Sequence, residues 1–362
     1  MKTLVTGASG FIGRTLCRKL KDEGLDVVAC SRTRVDGIGC SYISAPELGP
    51  AADWAPALAG IDAVVHLAGQ ALVDGAANTP DIEAEYKRIN VEATCTLAKE
   101  AVRVGVKHFI FMSSVHAVAA DCNGVITRET QPHPVSAYGG SKLAAEKVLQ
   151  QELLGSACAW TILRPPLVYG PGNKANFGLL LKLVKTGIPL PLDSVCNRRS
   201  FIYVENLSDL IETCLANSKA FGKVFLPSDG EDVSTPELIR AIARANASVE
   251  QGAGLPARIS WSLSDPSPLR SGCAYRSERS REQGVTIGEQ KSETGEPTRH
   301  SPRLFPFPEK VLEVMGRLPG LGALKKLTSS LYVDSEPIRR ELGWTPPFTM
   351  EEGLRRTLAK RH

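Results

Sequence analysis

Short apolar runs alternate with longer amphipathic stretches along the first 170 residues of the chain. Runs of four to six residues rich in Val, Ile, Phe and Leu predict buried strands, whereas apolar residues three or four positions apart predict helices. This alternation is typical of a parallel sheet with helices on both faces. The predicted strands are residues 2–6, 26–31, 63–67, 109–113 and 161–164, and the predicted helices are residues 11–23, 83–104 and 137–153.

A glycine-rich loop separates the first predicted strand from the first predicted helix. Glycines at positions 7, 10 and 13 allow a sharp turn, a close approach of a pyrophosphate and tight packing of helix on strand. The helix N-terminus then offers free N–H groups to the phosphates. The loop therefore predicts a dinucleotide site that includes Gly7, Ser9, Gly10, Phe11, Ile12 and Gly13.

These patterns predict an α/β fold with a Rossmann-type, doubly wound parallel sheet and a smaller C-terminal substrate lobe. Residues 1–170 would form the dinucleotide-binding domain. Residues 171–362 would form mainly the substrate-binding lobe, with some chain returning to the sheet. Residues 262–303 are rich in Ser, Arg, Glu and Gly without clear periodicity, which predicts a disordered insertion. A lid over the substrate is the alternative for this segment.

Composition narrows the class of protein. The 362 residues are 43% hydrophobic and 23% charged, with a net charge of +4, which gives no reason to expect a nucleic-acid partner. No apolar run approaches the length of a membrane span, and the chain opens on a predicted strand, so we expect neither membrane anchor nor signal peptide. The nine scattered cysteines form no CxxC pair. They predict a cytoplasmic protein without a disulfide framework or a metal site.

The end of the second predicted strand bears on cofactor choice. An NAD-type site places an acidic residue there, about 20 positions past the glycines, to bond the ribose 2′-hydroxyl. Ser31 and Arg32 occupy these positions. Because a carboxylate would repel a 2′-phosphate and a guanidinium can grip it, NADP is favoured over NAD. The alternative is that Arg32 and Arg34 are solvated and Asp36 serves the ribose.

Tyr138 and Lys142 are four residues apart in predicted helix 137–153 and therefore share a face. A nearby ammonium favours the phenolate, so we expect Lys142 to lower the pKa of Tyr138. Such a pair suits acid–base catalysis beside a carbonyl, although a solvated helical face has the same spacing. In this helix an apolar stripe is expected beside three charged residues, with Leu143, Val148, Leu149 and Leu153 forming the stripe and Lys142, Glu146 and Lys147 the charges.

Several motifs in order along the chain carry a family resemblance. They are the glycine loop, His66-Leu67-Ala68-Gly69, Asn90 in Arg88-Ile89-Asn90-Val91, Phe111-Met112-Ser113-Ser114, Tyr138 with Lys142, and Arg164-Pro165-Pro166-Leu167-Val168-Tyr169-Gly170. Together they resemble the extended short-chain dehydrogenases/reductases, in the nucleotide-sugar epimerase/dehydratase group. The resemblance covers nearly the whole chain outside the predicted insertion.

The resemblance implies roles for individual residues. Ser114 would hydrogen-bond the reacting oxygen, Tyr138 would exchange its proton, and Lys142 would hold the cofactor ribose. Asn90 resembles a residue that steadies the catalytic helix and a bound water near the lysine. Further expected cofactor contacts are Leu67, Ala68, Gly69 and Pro165, and the expected substrate contacts are His116, Asn176 and Arg199.

The group includes 4,6-dehydratases, 4-epimerases and reductases. A 4,6-dehydratase carries an Asp-Glu pair after its strand-end hydroxyl, whereas Val115 and His116 follow Ser114 here, which argues against elimination. An epimerase keeps NAD bound and needs no outside reductant, whereas a reductase consumes NADPH. Arg32 and Arg34 favour the reductase.

The closing segments, at residues 331–334 and 342–348, resemble NADPH-dependent reductases of UDP-2-acetamido-2,6-dideoxy-4-keto sugars in polysaccharide synthesis. The first alternative is a UDP-sugar 4-epimerase. The second alternative is a non-catalytic NADP sensor of the same fold, although such proteins typically lack the Tyr or the Lys and this sequence has both. By resemblance we also expect a homodimer formed through the helices predicted at 83–104 and 137–153.

Overall fold

A computed structural model describes residues 1–35, 37–72, 79–122, 124–173, 176–252, 304–307 and 327–359. Seven parallel strands form the main sheet in the order β3-β2-β1-β4-β5-β6-β9. The strands are β1 (Lys2–Thr6), β2 (Asp26–Ser31), β3 (Ser41–Ser44), β4 (Ala63–His66), β5 (His108–Met112), β6 (Ala159–Leu163) and β9 (Lys223–Phe225). The predicted Rossmann-type fold class is confirmed, because the strand order reverses between β1 and β4, where such sheets bind ligands.

Helices cover both faces of this sheet. They are α1 (Phe11–Asp22) and α7 (Val204–Ala216) on one face, and α2 (Ala55–Leu58), α3 (Pro80–Tyr86), α4 (Ala93–Val104) and α5 (Ala137–Leu153) on the other. Leu16, Leu20 and Ile211 are fully buried on the first face, as are Leu97 and Leu149 on the second. Burial of both faces explains why the central strands are almost wholly apolar.

The helix predicted at 83–104 is divided into three stretches. Between α3 and α4 the chain forms a π-helical turn, Lys87–Glu92, which contains Asn90. Such turns are often found at functional sites, because the extra residue in the turn re-aims a side chain. Here the turn directs the buried Asn90 towards the carboxyl edge of the sheet.

The second sheet has three strands in the order β10-β8-β7. They are β7 (Leu167–Tyr169), β8 (Arg199–Tyr203) and β10 (Asp232–Val233), accompanied by α6 (Asn176–Thr186), α8 (Thr235–Gly252), α9 (Glu336–Leu342) and α10 (Met350–Ala359). Phe177, Leu181, Ile239 and Leu354 form the core beside this sheet. The insertion predicted at residues 262–303 lies outside the described residues.

No helix of the described ranges is long and apolar enough to cross a membrane. Within the same ranges, no group of three or more His, Cys, Asp or Glu side chains is arranged to hold a metal ion.

Candidate active site at the carboxyl edge of the sheet

The glycine loop has no room for side chains at two of its positions. Gly7 adopts φ +69°, and a Cβ there would lie 2.8 Å from the backbone nitrogen of Ala68. A Cβ on Gly13 would lie 2.3 Å from the carbonyl oxygen of Gly7. Gly10 precedes α1, whose first turn carries no acidic residue. The loop therefore leaves the open, electropositive helix N-terminus that a dinucleotide pyrophosphate requires.

The next two residues, at the start of α1, are half-buried. Phe11 and Ile12 pack against the core beside the second sheet, and Ile12 also contacts the core of the main sheet. The backbone oxygen of Ser9 accepts a hydrogen bond from Arg14 Nε at 2.8 Å. The predicted cofactor loop is thus fixed at the junction of the two cores.

The end of β2 places Ser31 and Arg32 in different environments. Ser31 is buried, and its Oγ donates to the carbonyl oxygen of Thr33 at 2.7 Å, while Tyr42 donates to the Ser31 carbonyl oxygen at 2.9 Å. Arg32 is exposed at the carboxyl end of the strand. The Ser31 hydroxyl is thus engaged by its own turn, whereas the Arg32 side chain extends towards solvent. Asp36, the alternative ribose contact, lies outside the described residues.

Asn90 clamps the loop that follows β4. Its Oδ1 accepts from the backbone nitrogen of Gln70 at 2.8 Å, and its Nδ2 donates to the Gln70 carbonyl oxygen at 3.1 Å and to Ser141 Oγ at 2.9 Å. A Cβ on Gly69 would lie 2.7 Å from Asn90 Oδ1 and 3.6 Å from Lys142 Nζ. Asn90 therefore joins the loop of residues 67–70, expected to contact the cofactor, to the helix that carries Lys142.

A buried hydrogen-bond chain supports Asn90 from behind. Thr94 Oγ1 donates to the Asn90 carbonyl oxygen at 2.7 Å and lies 3.1 Å from His66 Nε2, and His66 Nδ1 lies 2.7 Å from Thr6 Oγ1. Because the Thr94 proton is already committed, His66 donates from Nε2 and accepts from Thr6 at Nδ1. Burial, followed by the charge of Lys142, lowers the pKa of His66 to about 3, so the ring is neutral.

The three expected catalytic side chains converge beyond the end of β5. Ser114 Oγ accepts from the backbone nitrogen of His116 at 3.2 Å and is hydrogen-bonded to Tyr138. Ser136 caps α5 by accepting from the backbone of its first turn, which fixes the start of the helix that carries Tyr138 and Lys142. Lys142 Nζ donates to the Met112 carbonyl oxygen at 3.0 Å.

The pKa values of this cluster differ from the sequence expectation. Burial raises the pKa of Tyr138 to about 12, outweighing the hydrogen bond from Ser114, which lowers it. Burial likewise lowers the pKa of Lys142 to about 8, opposed by the charge of Glu146. The expectation that Lys142 lowers the pKa of Tyr138 is therefore wrong for the protein alone. Lys142 donates its hydrogen bond to the Met112 carbonyl oxygen. Desolvation has the largest effect on the pKa of the Tyr138 phenol, which therefore stays protonated at neutral pH.

Two of the expected substrate contacts, His116 and Arg199, lie near Tyr138 or near each other. The His116 ring is 6.2 Å from the Tyr138 ring, and burial, with a smaller contribution from Arg199, lowers the pKa of His116. Arg199 begins β8 and donates to the carbonyl oxygen and Oγ of Ser329, both at 3.2 Å. His116 and Arg199 are therefore electrostatic neighbours. Asn176 begins α6, but its side chain lies outside the described part of the chain.

Pro165 follows β6 and is buried, and its carbonyl oxygen accepts from the backbone nitrogen of Val115 at 3.0 Å. This contact joins the end of β6 to the turn that carries Ser114 and His116. Pro165 thus lies next to the expected catalytic turn.

A family model described as the NAD dependent epimerase/dehydratase family matches residues 3–225 of this chain. This chain belongs to the NAD-dependent epimerase/dehydratase family. Over 368 residues it is 33% identical to a UDP-glucose 4-epimerase of Vibrio cholerae, covering 98% of this chain and 93% of the relative. It is also 26% identical over 381 residues to a 2-alkyl-3-oxoalkanoate reductase of Stenotrophomonas maltophilia, covering 99% of both.

Among solved structures, MoeE5 in complex with UDP-glucose and NAD is similar in fold, with a TM-score of 0.66 and 22% identity over 99% of this chain and 97% of that one. The predicted resemblance to the extended short-chain dehydrogenases/reductases is confirmed. As a member of the epimerase/dehydratase family, the protein is an NAD(P)-dependent enzyme of the oxidoreductase type.

The sequence analysis did not predict the buried ion pair between Glu146 and Arg164. Glu146 is 3% exposed and is paired with Arg164, which is 7% exposed. The apolar stripe expected on α5 is therefore only partly the buried face, since Leu149 and Leu153 are buried but Leu143 and Val148 are half-buried, while Lys142 and Glu146 are buried as well. The sequence did contain a signal for the burial of Glu146. Glu146 follows Lys142 by four positions, just as Lys142 follows Tyr138, so all three share one face of the helix.

Proposed function

We propose that this enzyme transfers hydride at C4 of a nucleotide-linked sugar, with NAD or NADP as coenzyme. The observation that carries the proposal is the convergence of Ser114, Tyr138 and Lys142 at the carboxyl edge of the sheet, between the glycine loop and Arg199. The full-length similarity to a UDP-glucose 4-epimerase supports this substrate class, as does the fold of a protein solved with UDP-glucose and NAD.

The residues of the cofactor side fit a dinucleotide. The close backbone contacts at Gly7 and Gly13 leave no room for side chains, so the loop presents bare backbone beside the N-terminus of α1. We assign the pyrophosphate to this loop, the ribose to Lys142 and the neighbouring walls to the loop of residues 67–69 and to Pro165. When bound, the nicotinamide accepts hydride from the sugar or donates hydride to it.

Ser114 and Tyr138 handle the oxygen at C4. The Ser114 hydroxyl donates a hydrogen bond to this oxygen. When the C4 ketone is reduced, Tyr138 supplies the proton as negative charge develops on the oxygen; when a C4 alcohol is oxidised, the phenolate form of Tyr138 would accept the hydroxyl proton. The raised pKa of Tyr138 suits the reductive step, because the phenol carries its proton at neutral pH. Lys142 adds positive charge one helical turn away. Arg199 and Asn176 hold the diphosphate, and His116 contacts the sugar.

Two forms of this chemistry are supported by different observations. A 4-epimerase withdraws hydride from C4 and returns it to the other face, and the relative that is 33% identical over nearly the full chain favours this form. An NADPH-dependent reductase of a UDP-2-acetamido-2,6-dideoxy-4-keto sugar is the second candidate. Exposed Arg32 at the end of β2 favours it, since a guanidinium suits the 2′-phosphate of NADPH. We place the epimerase first.

The experiment incubates purified enzyme with UDP-glucose without added reductant, and separately with the UDP-4-keto sugar and either NADH or NADPH. Formation of the C4 epimer supports the epimerase. Consumption of NADPH in proportion to the keto sugar, with little use of NADH, supports the reductase. Absence of turnover with every UDP-sugar contradicts the proposed substrate class.

We further propose a cytoplasmic homodimer and a substrate-binding role for the chain beyond residue 171. Helices α4 and α5 pack side by side and keep half-buried Leu143 and Val148 on the outer face of α5, which suits a helical dimer interface. Light scattering at several protein concentrations tests the dimer.

A further inference from the structure

Glu146 and Arg164 form a buried, bidentate ion pair beneath the catalytic helix. Arg164 Nε donates to Glu146 Oε1 at 2.9 Å, and Arg164 Nη2 donates to Glu146 Oε2 at 2.6 Å. Ser113 Oγ donates to the same carboxylate. Three donors therefore satisfy a carboxylate whose desolvation would otherwise be costly.

These three residues lie next to the proposed catalytic and cofactor residues. Glu146 is one helical turn after Lys142 on the buried face of α5. Ser113 immediately precedes Ser114, and Arg164 immediately precedes Pro165. A single carboxylate thus joins α5 to the ends of β5 and β6, and so fixes the relative positions of the Lys142 helix and the Ser114 turn.

The groups around Lys142 make its charge sensitive to this pair. They are His66 from β4, Asn90 from the π-helical turn, the Phe111 ring at 5.0 Å and the Met112 carbonyl oxygen from β5, and Tyr138 and Glu146 from α5. Within this described set, Glu146 is the carboxylate whose charge favours the ammonium form of Lys142, whereas His66 and Tyr138 are neutral. Arg164 partly neutralises that charge.

We propose that the Glu146–Arg164 pair is a positioning device that holds Lys142 as an ammonium ion and aligns it with Ser114. The inference rests on the proposed function, since it assigns a task to residues that support the proposed catalytic ones. The two partners act in opposite directions on the charge of Lys142. Removing the carboxylate leaves a buried guanidinium that repels the ammonium, whereas removing the guanidinium leaves a carboxylate that attracts it.

Titration of Lys142 tests this directly and does not depend on the substrate. Lysine labelled with ¹³C at Cε is followed by NMR against pH, and the Lys142 resonance is assigned by its loss in Lys142→Met. We expect the pKa of Lys142 to fall by roughly one unit in Glu146→Gln and to rise by a similar amount in Arg164→Met. The double variant should return close to the wild-type value, because the opposed charges are removed together.

The pair of Glu100 and Arg103 on α4, in which the arginine is exposed and the glutamate half-buried, is a matched control. It has the same fork, with Arg103 Nε 2.8 Å and Nη2 2.5 Å from the two carboxylate oxygens, but Arg103 is 65% exposed. Glu100→Gln and Arg103→Met should leave the titration of Lys142 unchanged. If one buried single variant fails to fold, the other and the double variant still decide the sign.

Equal Lys142 titrations in wild type and in the folded buried variants would overturn the proposal, as would shifts of the same sign in both single variants. Kinetics gives the second readout. The alkaline limb of the kcat/KM profile should move to lower pH in Glu146→Gln and to higher pH in Arg164→Met, whereas a merely structural pair would lower activity without moving it. Wild type that binds coenzyme but turns over no UDP-sugar would refute the proposed function, and the NMR titration would still decide the role of the pair.

Discussion

Gly69 shows how tightly the cofactor side is built at the scale of single residues. A Cβ there would lie 2.7 Å from Asn90 Oδ1, and Asn90 is held by Gln70 and Ser141. Gly69→Ala should therefore displace the Asn90 clamp and weaken NAD(H) binding by about tenfold, the equivalent of roughly 1.4 kcal/mol. Fluorescence titration with NADH measures this.

Gly140→Ala is the matched control for that variant, because a Cβ at Gly140 meets nothing within 4 Å. It should bind coenzyme as wild type does. Wild-type affinity in Gly69→Ala would show that the clamp does not shape the cofactor site.

The neutral His66 predicts how stability depends on pH. Its pKa is lowered to about 3 in the folded protein, against 6.5 for the unperturbed side chain. Between these values the unfolded chain binds more protons, so His66 makes the free energy of unfolding fall as the pH falls from about 6.5 to 3. His66→Gln should reduce this acid sensitivity even if it lowers stability at neutral pH. Urea unfolding of both proteins at pH 7 and pH 4.5 measures it, and identical pH dependence would contradict the assignment.

The proximity of Ser114, Tyr138 and Lys142 could be predicted from sequence, but the charge relations around them could not. Order and spacing along the chain were sufficient to select Ser114, Tyr138 and Lys142 together. The pKa of Tyr138 depends on desolvation, and the pairing of Glu146 with Arg164 joins residues 18 positions apart in different elements. The spacing of residues along one helix predicts neither the desolvation of Tyr138 nor the pairing of Glu146 with Arg164.

At the scale of elements, the chain at Ser330–Asp334 joins β8 to the loop that follows the Ser114 turn. The Ser330 and Tyr332 carbonyl oxygens accept from the backbone nitrogens of Cys122 and Ile126 on that loop, both at 2.9 Å. On its other side, Leu331 donates to the carbonyl oxygen of Arg198, just before β8, and accepts from the backbone nitrogen of Ser200 in β8. The segment thus fixes the spacing between the loop that follows Ser114 and the strand that begins with Arg199.

Ser329 precedes this segment and orients Arg199. Ser329→Ala removes the Oγ acceptor of the Arg199 guanidinium, so the KM for the nucleotide sugar should rise about two- to tenfold with little change in kcat. Ser330→Ala is the control, because Ser330 Oγ accepts from the Arg198 backbone instead. A fall in kcat with unchanged KM in Ser329→Ala would place Arg199 away from the diphosphate.

Element prediction succeeded where strands are buried and failed where they are short and at an edge. β1, β4 and β5 are buried along almost their whole length, and their bounds were predicted within one or two residues. β3 has half-exposed residues and β9 has three residues, so neither produces a clear apolar run. The π-helical turn was missed because apolar periodicity does not distinguish it from an α-helix.

At the scale of the whole molecule, the site lies where two cores meet. One core lies against the main sheet and the other beside the three-stranded sheet, and Ile12 of the glycine loop packs against both. The repeated strand–helix pattern predicted the main sheet and its helices. The region around the three-stranded sheet depends on pairings between distant segments, such as Arg199 with Leu331, which local sequence patterns do not reveal.

The decisive measurement for this molecule is the single-turnover rate of Tyr138→Phe with the UDP-sugar that wild type converts. Phenylalanine keeps the ring that packs beside Tyr86 and His116 but removes the proton and the hydrogen bond to Ser114. We predict coenzyme affinity close to wild type and a rate lower by about 10²- to 10⁴-fold. A rate equal to that of wild type, with coenzyme bound, would contradict the assignment of Tyr138 as the proton donor.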